Sequence, residues 1–119
     1  MIKFIINRIK SFGPAFKGLF WLFKNEANAQ VHLLATVVVI IAGLYFNIEI
    51  KDWLFLCFAI GLVITAEALN TSIEKLVDLL HPQNHLQAGL VKDLAAAGVL
   101  VASIVSVIIA ALVFVPKFF

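Results

Sequence analysis

Long apolar runs separated by short polar breaks dominate the chain, and their lengths predict membrane-spanning helices. Ala27 to Ile48 carries no formal charge and is most apolar from Leu33 to Phe46. Trp53 to Ile73 is apolar apart from Glu67 and a few polar residues, and Leu94 to Val115 is 22 residues without a charge. About 20 mostly apolar residues cross a hydrocarbon core, and in lipid every backbone group must be satisfied within the helix. The pattern therefore predicts three transmembrane helices, near residues 29–48, 53–73 and 94–115. The second is expected to continue to residue 80 outside the bilayer. Asn47 to Asp52 is a tight polar turn between the first two, Pro82 ends the second helix, and Gly89 precedes the third.

Ile2 to Lys24 has a different rhythm. Phe4, Ile5, Ile9, Phe12, Phe16, Leu19, Phe20 and Phe23 alternate with Lys3, Arg8, Lys10, Lys17 and Lys24. That spacing predicts a basic amphipathic helix lying on the membrane surface, broken at Gly13-Pro14. It is not a cleaved signal peptide, because no uncharged apolar core leads to a small-residue cleavage site.

Composition agrees. Of 119 residues, 63% are hydrophobic and 13% charged, with a mean hydropathy of +1.07; soluble domains carry roughly 25% charged residues. The expected architecture is one all-α membrane domain over residues 1–119, without repeats or linkers. Seven of the nine Lys and Arg fall in the N-terminal segment and the 74–93 stretch. The positive-inside rule then places both in the cytoplasm and the C-terminus outside. The net charge of +2 fits a basic inner face against anionic headgroups and gives no reason to expect nucleic acid. The single cysteine, Cys57, lies mid-span and is expected to pack there.

The polar exceptions carry the chemistry. At 100° per residue, Glu67, Asn70, Thr71, Glu74 and Asp78 share one stripe about 100° wide on the second helix. If that helix enters lipid at Trp53, Glu67 lies about 21 Å along it, inside the hydrocarbon core. A charge there costs a few kcal/mol, so such residues usually face the protein interior and mark function. A structural polar contact between helices, or simple emergence into the cytoplasm, would also produce acids in this register. Glu26, Glu74 and Lys92-Asp93 all fall at the cytoplasmic boundary. Carboxylates with a lysine and an amide suit a site for Mg²⁺ and phosphate, and so phosphoryl transfer. Ordinary charged helix ends would look the same.

Other chemistries are poorly supported. No GxxxxGK[ST] loop exists, and "GPAFKG" lacks the strand-and-helix context of a nucleotide fingerprint. His81 and His85 flank Pro82, so they do not form a regular helical metal pair, and no serine has a neighbouring His–Asp pattern.

"EALNTSIEKLVD" at 67–78, followed fourteen residues after its Asp by "KDLAAAGVL", closely resembles the prokaryotic diacylglycerol kinase family of small integral-membrane lipid kinases. Its pattern is E-x-x-N-[ST]-[AS]-I-E-x-x-V-D, a histidine, then K-D-x-[AG]-[AS]-A. "AFKGLFWLFKNEANAQVHL" also matches the family's N-terminal region, so the resemblance covers nearly the whole chain in order and spacing.

That resemblance implies the following roles. Glu67 matches the general base on the lipid hydroxyl. Glu26 and Glu74 match ligands of the divalent metal, Mg²⁺, that accompanies ATP. Asn70, Lys92 and Asp93 match positions serving the phosphates and the active-site network. Gln83, Asn84 and His85 occupy the stretch that contacts nucleotide, and Lys17, with Arg8, corresponds to the basic helix over ATP. Asn28, Gln30 and His32 match the region near the lipid. The resemblance also implies a homotrimer with sites shared between subunits. Gly98, Ala102, Ser106 and Ala110 recur every fourth residue, a stripe that permits close helix approach between subunits or within one.

Gram-negative members carry arginine where Gln30 stands and an acid where His32 stands. "VHL" at 31–33 is closer to the Gram-positive branch, which includes undecaprenol kinases. The acceptor is expected to be diacylglycerol, giving phosphatidic acid, with undecaprenol the close second. A small membrane assembly or transport subunit, using the acid stripe for helix pairing or cation conduction, is the non-enzymatic alternative.

Overall fold

A computed structural model describes residues 1–119 as five helices and no strand: α1 Ile2–Lys10, α2 Phe12–Asn25, α3 Ala27–Tyr45, α4 Ile50–Leu80 and α5 Leu86–Phe118. Of these, α3, α4 and α5 are long and apolar enough to cross a membrane. At 1.5 Å per residue, the 31 residues of α4 extend about 47 Å, well beyond a hydrocarbon core of about 30 Å. That excess carries the Glu74–Leu80 end of α4 out of the apolar layer.

The amphipathic N-terminal segment is two helices, and the break lies at Ser11 instead of Gly13-Pro14. Proline acts four residues upstream: Pro14 has no N–H for the Lys10 carbonyl, and its ring crowds that carbonyl. The ladder therefore opens after Lys10, and Pro14 sits in the first turn of α2, where a missing N–H costs nothing. Both helices leave Phe4, Ile9, Phe12, Phe16 and Phe20 exposed, the surface of a segment that rests on lipid.

Glu26 is the corner between α2 and α3. Its backbone is extended (φ −102°, ψ 119°), and the Gln30 amide side chain donates to the Lys24 carbonyl across it at 3.2 Å. At the opposite end, Asn47 adopts a left-handed φ of 50° and its N–H reaches the Leu44 carbonyl, closing α3. The turn is shorter than the polar run implies, because α4 already begins at Ile50 and takes Asp52 into its first turn. An acid there complements the helix dipole.

Pro82 disfavours helical dihedrals at His81, and α4 stops at Leu80. The third long helix begins earlier than Gly89 because His85 caps it. The His85 Nδ1 accepts from the Gln87 and Ala88 N–H groups at 3.2 and 3.4 Å, and Gly89 falls inside the first turns.

The most extensive packing joins α4 to α5. Ser106 donates to the Ala59 carbonyl at 3.1 Å, and Ala102 is buried beside it, so this part of the small-residue stripe works within the subunit. A Cβ on Gly98 would meet nothing within 4 Å. Cys57 is exposed, since Leu56, Ala59 and Val63 take the inner face of α4.

Buried residues separate by chemistry along the bundle. Near the Asn47 turn, Ile48, Leu56 and Val113 form an apolar core with Trp53, Phe46 and Phe114. Toward the Glu26 corner, the buried set takes in polar side chains, Glu67, Asn70 and Thr71, beside Leu22, Ala29 and Val77.

Candidate active site

The inner face of α4 positions the site. Glu67 is 2% exposed, and Asn70 and Thr71 are 6% exposed, although three- and four-residue steps on a lone helix would leave them open to solvent or lipid. Neighbouring α3 covers Glu67: the His32 Nε2 lies 3.7 Å from Glu67 Oε2. Glu26, at the corner, and Glu74, two turns further along α4, are close enough to Glu67 to act on it electrostatically.

One turn on, Asn70 Nδ2 donates to Glu74 Oε1 at 3.1 Å. Glu67 Oε2, Asn70 Oδ1 and Thr71 Oγ1 are buried and have no hydrogen-bond partner. Leaving such atoms unpaired costs about 1–3 kcal/mol each. Three of them in one stripe hold hydrogen-bonding capacity that nothing in the chain fills. An unpaired carboxylate at that depth can serve as a base, a ligand or a partner for a bound hydroxyl.

The side chains named from the sequence divide into four groups. Glu67, Asn70, Glu74, His32 and Glu26 come together at the Glu26 end of α3 and α4. Gln83, Asn84 and His85 lie in the exposed α4–α5 connection, and Asn84 and His85 line a shallow concavity with Asp93. Lys92 is held in an ion pair by Asp78, and so belongs to the α4–α5 junction. Lys17, Asn28 and Gln30 are exposed, and only Gln30 makes a side-chain hydrogen bond, to its own backbone corner.

Two contacts are set between helices and have no signature in the sequence. The Lys75 ammonium sits 4.9 Å from the centre of the Trp21 ring, fastening α2 over α4. The other is the His32–Glu67 approach between α3 and α4, distant in sequence and set by the crossing of two helices. Asp78 belongs to the acid stripe by its spacing, and its pairing with Lys92 depends on where the Pro82 turn returns the chain.

An open, mostly apolar slot of about 220 Å³ lies between α3, α4 and α5, and His32 is the member of this cluster that lines it. His32, Val63 and Ser103 line the end nearest Glu67, while Val39, Leu56 and Ala110 line the far end. Its lining is mostly apolar, with His32, Thr36, Ser103 and Ser106 the polar exceptions.

No three His, Cys, Asp or Glu side chains gather within the chain as a ready-made metal cage. Glu26 and Glu74 still fit Mg²⁺, because this ion keeps several waters and commonly takes one or two carboxylates together with substrate phosphates. The Asn70 amide leaves Glu74 Oε2 free for such a role.

The chain as a whole has recognisable relatives. The sequence model described as prokaryotic diacylglycerol kinase matches residues 13–114. An undecaprenol kinase of Bacillus subtilis strain 168 is 38% identical over 113 residues, covering 94% of this chain and 92% of that one. A diacylglycerol kinase of Escherichia coli K12 is 32% identical over 100 residues, 84% of this chain and 82% of its own. A diacylglycerol kinase of Helicobacter pylori is 30% identical over 103 residues, 79% of each chain. With the family match running from the surface helix to the last turns of α5, the chain belongs to the prokaryotic diacylglycerol kinase family.

Proposed function

We propose that this protein is an ATP-dependent lipid kinase that transfers the γ-phosphoryl group to the hydroxyl of a membrane lipid alcohol, with Glu67 as the base. The observation that carries the reading is the buried Glu67 carboxylate, its Oε2 unpaired and 3.7 Å from His32, which lines a mostly apolar slot. Family membership supports the phosphotransferase chemistry.

Glu67 takes the hydroxyl proton as the alcohol oxygen attacks in line, and a positioned carboxylate contributes about 10²–10⁴-fold by this means. Glu26 and Glu74 hold Mg²⁺ with the ATP phosphates. The ion supplies charge neutralisation on the transferring group. Asn70 keeps Glu74 in place, and the connection from Gln83 to His85, with Lys92, Asp93 and Lys17, contacts the nucleotide. The basic N-terminal helices and the 74–93 stretch support a cytoplasmic face for all of this, where ATP is available.

The acceptor is undecaprenol or a similar polyprenol in the leading reading, and diacylglycerol in the second. Greater identity and coverage to the Bacillus relative support the first; the Escherichia coli and Helicobacter relatives support the second. The sequence reading put them in the opposite order. The working form is a homotrimer. Support comes from the family and from the low burial within one chain, where only 13 of 119 residues are buried.

The test is a side-by-side assay. Purified protein in vesicles with Mg-ATP is given undecaprenol or diacylglycerol, and labelled lipid phosphate is counted for the parent and for Glu67→Gln. The parent should phosphorylate at least one lipid, and Glu67→Gln should lose turnover about 10²-fold or more while still binding nucleotide. Near-normal turnover by Glu67→Gln would overturn the base assignment.

A further inference from the structure

The slot between α3, α4 and α5 ends at a histidine that the steps above leave without a task. His32 is partly buried, lines the slot at the end nearest Glu67, and brings Nε2 to 3.7 Å from Glu67 Oε2. That oxygen is buried and accepts no hydrogen bond, and no other side chain is bonded to the carboxylate. The Thr36 hydroxyl donates to the His32 backbone carbonyl at 2.8 Å on the same helix, and the imidazole makes no hydrogen bond of its own, which keeps Nε2 for Glu67. A base must be held in one orientation to act, and no hydrogen bond within the chain fixes which Glu67 oxygen faces the substrate.

We infer that His32 is the positioning residue for Glu67: its Nε2–H donates to Oε2 once the lipid alcohol is bound and aims the other carboxylate oxygen at the hydroxyl. The inference rests on the reading of Glu67 as base. The present 3.7 Å is longer than a hydrogen bond, and catalytic hydrogen bonds are commonly long before substrate binds and tighten in the reactive complex. The atoms balance without His32 gaining or losing anything. The lipid O–H bond breaks and its proton goes to Glu67, the new O–P bond forms, and the bond from the γ-phosphorus to the ADP oxygen breaks. His32 keeps its own proton throughout.

A direct contact between His32 and the lipid would use the same place, and substitutions separate the two. Glutamine carries an N–H close to where Nε2 stands, asparagine carries one nearer the Nδ1 position, and leucine fills the slot without a donor. Full-length His32→Gln, His32→Asn and His32→Leu are assayed in vesicles with Mg-ATP and each lipid alcohol, beside Glu67→Gln. His32→Gln should keep kcat within about fivefold of the parent. His32→Asn and His32→Leu should lose about 30-fold or more in kcat, with KM for lipid and for Mg-ATP unchanged within about twofold, the scale on which small misplacements act.

Equal kcat for the glutamine and leucine variants would overturn the inference, as would a loss confined to the lipid KM. Mg-ATP binding checks that each variant is folded, and if His32→Leu fails that check the glutamine–asparagine comparison decides alone. Turnover surviving in Glu67→Gln would remove the base reading itself. A dead Glu67→Gln beside three His32 variants of parental activity would remove only the role of His32.

Discussion

Asn70 donates to Glu74 across one turn of α4, Nδ2 to Oε1 at 3.1 Å, while its own Oδ1 is buried without a partner. The amide thus fixes one carboxylate and keeps an acceptor for the site. Replacing it with leucine should free Glu74 and weaken metal-dependent nucleotide binding by about 10–100-fold, the usual cost of losing a residue that orients a ligand. A Mg²⁺ titration of lipid phosphorylation at fixed ATP measures this. An unchanged half-saturating Mg²⁺ concentration in Asn70→Leu would count against it.

Much of this arrangement was legible beforehand, and the reason is helical geometry. The stripe of Glu67, Asn70, Thr71 and Glu74 follows from 100° per residue, and the structure buries the first three on the face the apolar residues leave. What the sequence could not give was set between helices. Nothing in the spacing of His32 foretells that α3 crosses α4 at Glu67. The pairing of Lys92 with Asp78 waits on how the Pro82 turn brings α5 back beside α4. The start of α5 was misjudged because Gly89 is a conspicuous breaker, whereas a capping histidine has no common signature.

Glu74 is expected to respond to metal, not to the acceptor. Glu74→Gln keeps the shape and the Asn70 neighbour but halves the carboxylate charge offered to the ion, so it should raise the Mg²⁺ requirement and the KM for ATP by about tenfold or more, at least the loss expected for Asn70→Leu. The KM for the lipid alcohol should stay near the parental value. Chelation of the parent by EDTA should abolish phosphorylation, and added Mg²⁺ should restore it. Activity that survives thorough chelation would contradict a role for a divalent ion.

Gly43 tests the far end of the bundle. A Cβ there would stand 2.5 Å from Trp53 Cη2 and 3.1 Å from Ile48 Cδ1, so only glycine lets the indole lie against α3. Gly43→Ala should destabilise the protein by about 1–3 kcal/mol through overpacking, read as a lower Tm in detergent. Because the apolar core at this end is separated from Glu67 along α4, kcat measured well below the Tm should be parental.

His85 combines two tasks, and two substitutions distinguish them. Its Nδ1 caps α5 through Gln87 and Ala88, and its ring stacks on His81 at 5.1 Å between centroids. With Nδ1 committed to the cap, Nε2 is the atom left for nucleotide. His85→Ala removes the cap and should cost about 0.5–2 kcal/mol of stability. His85→Asn supplies one of the best capping side chains and should recover that stability, but it has no imidazole to reach the nucleotide. If His85 contacts ATP, both variants should show a raised KM for ATP, while only the alanine variant melts early. If the cap is its whole contribution, asparagine should restore the KM together with the Tm. Thermal melts and ATP saturation curves on the same two preparations decide between them.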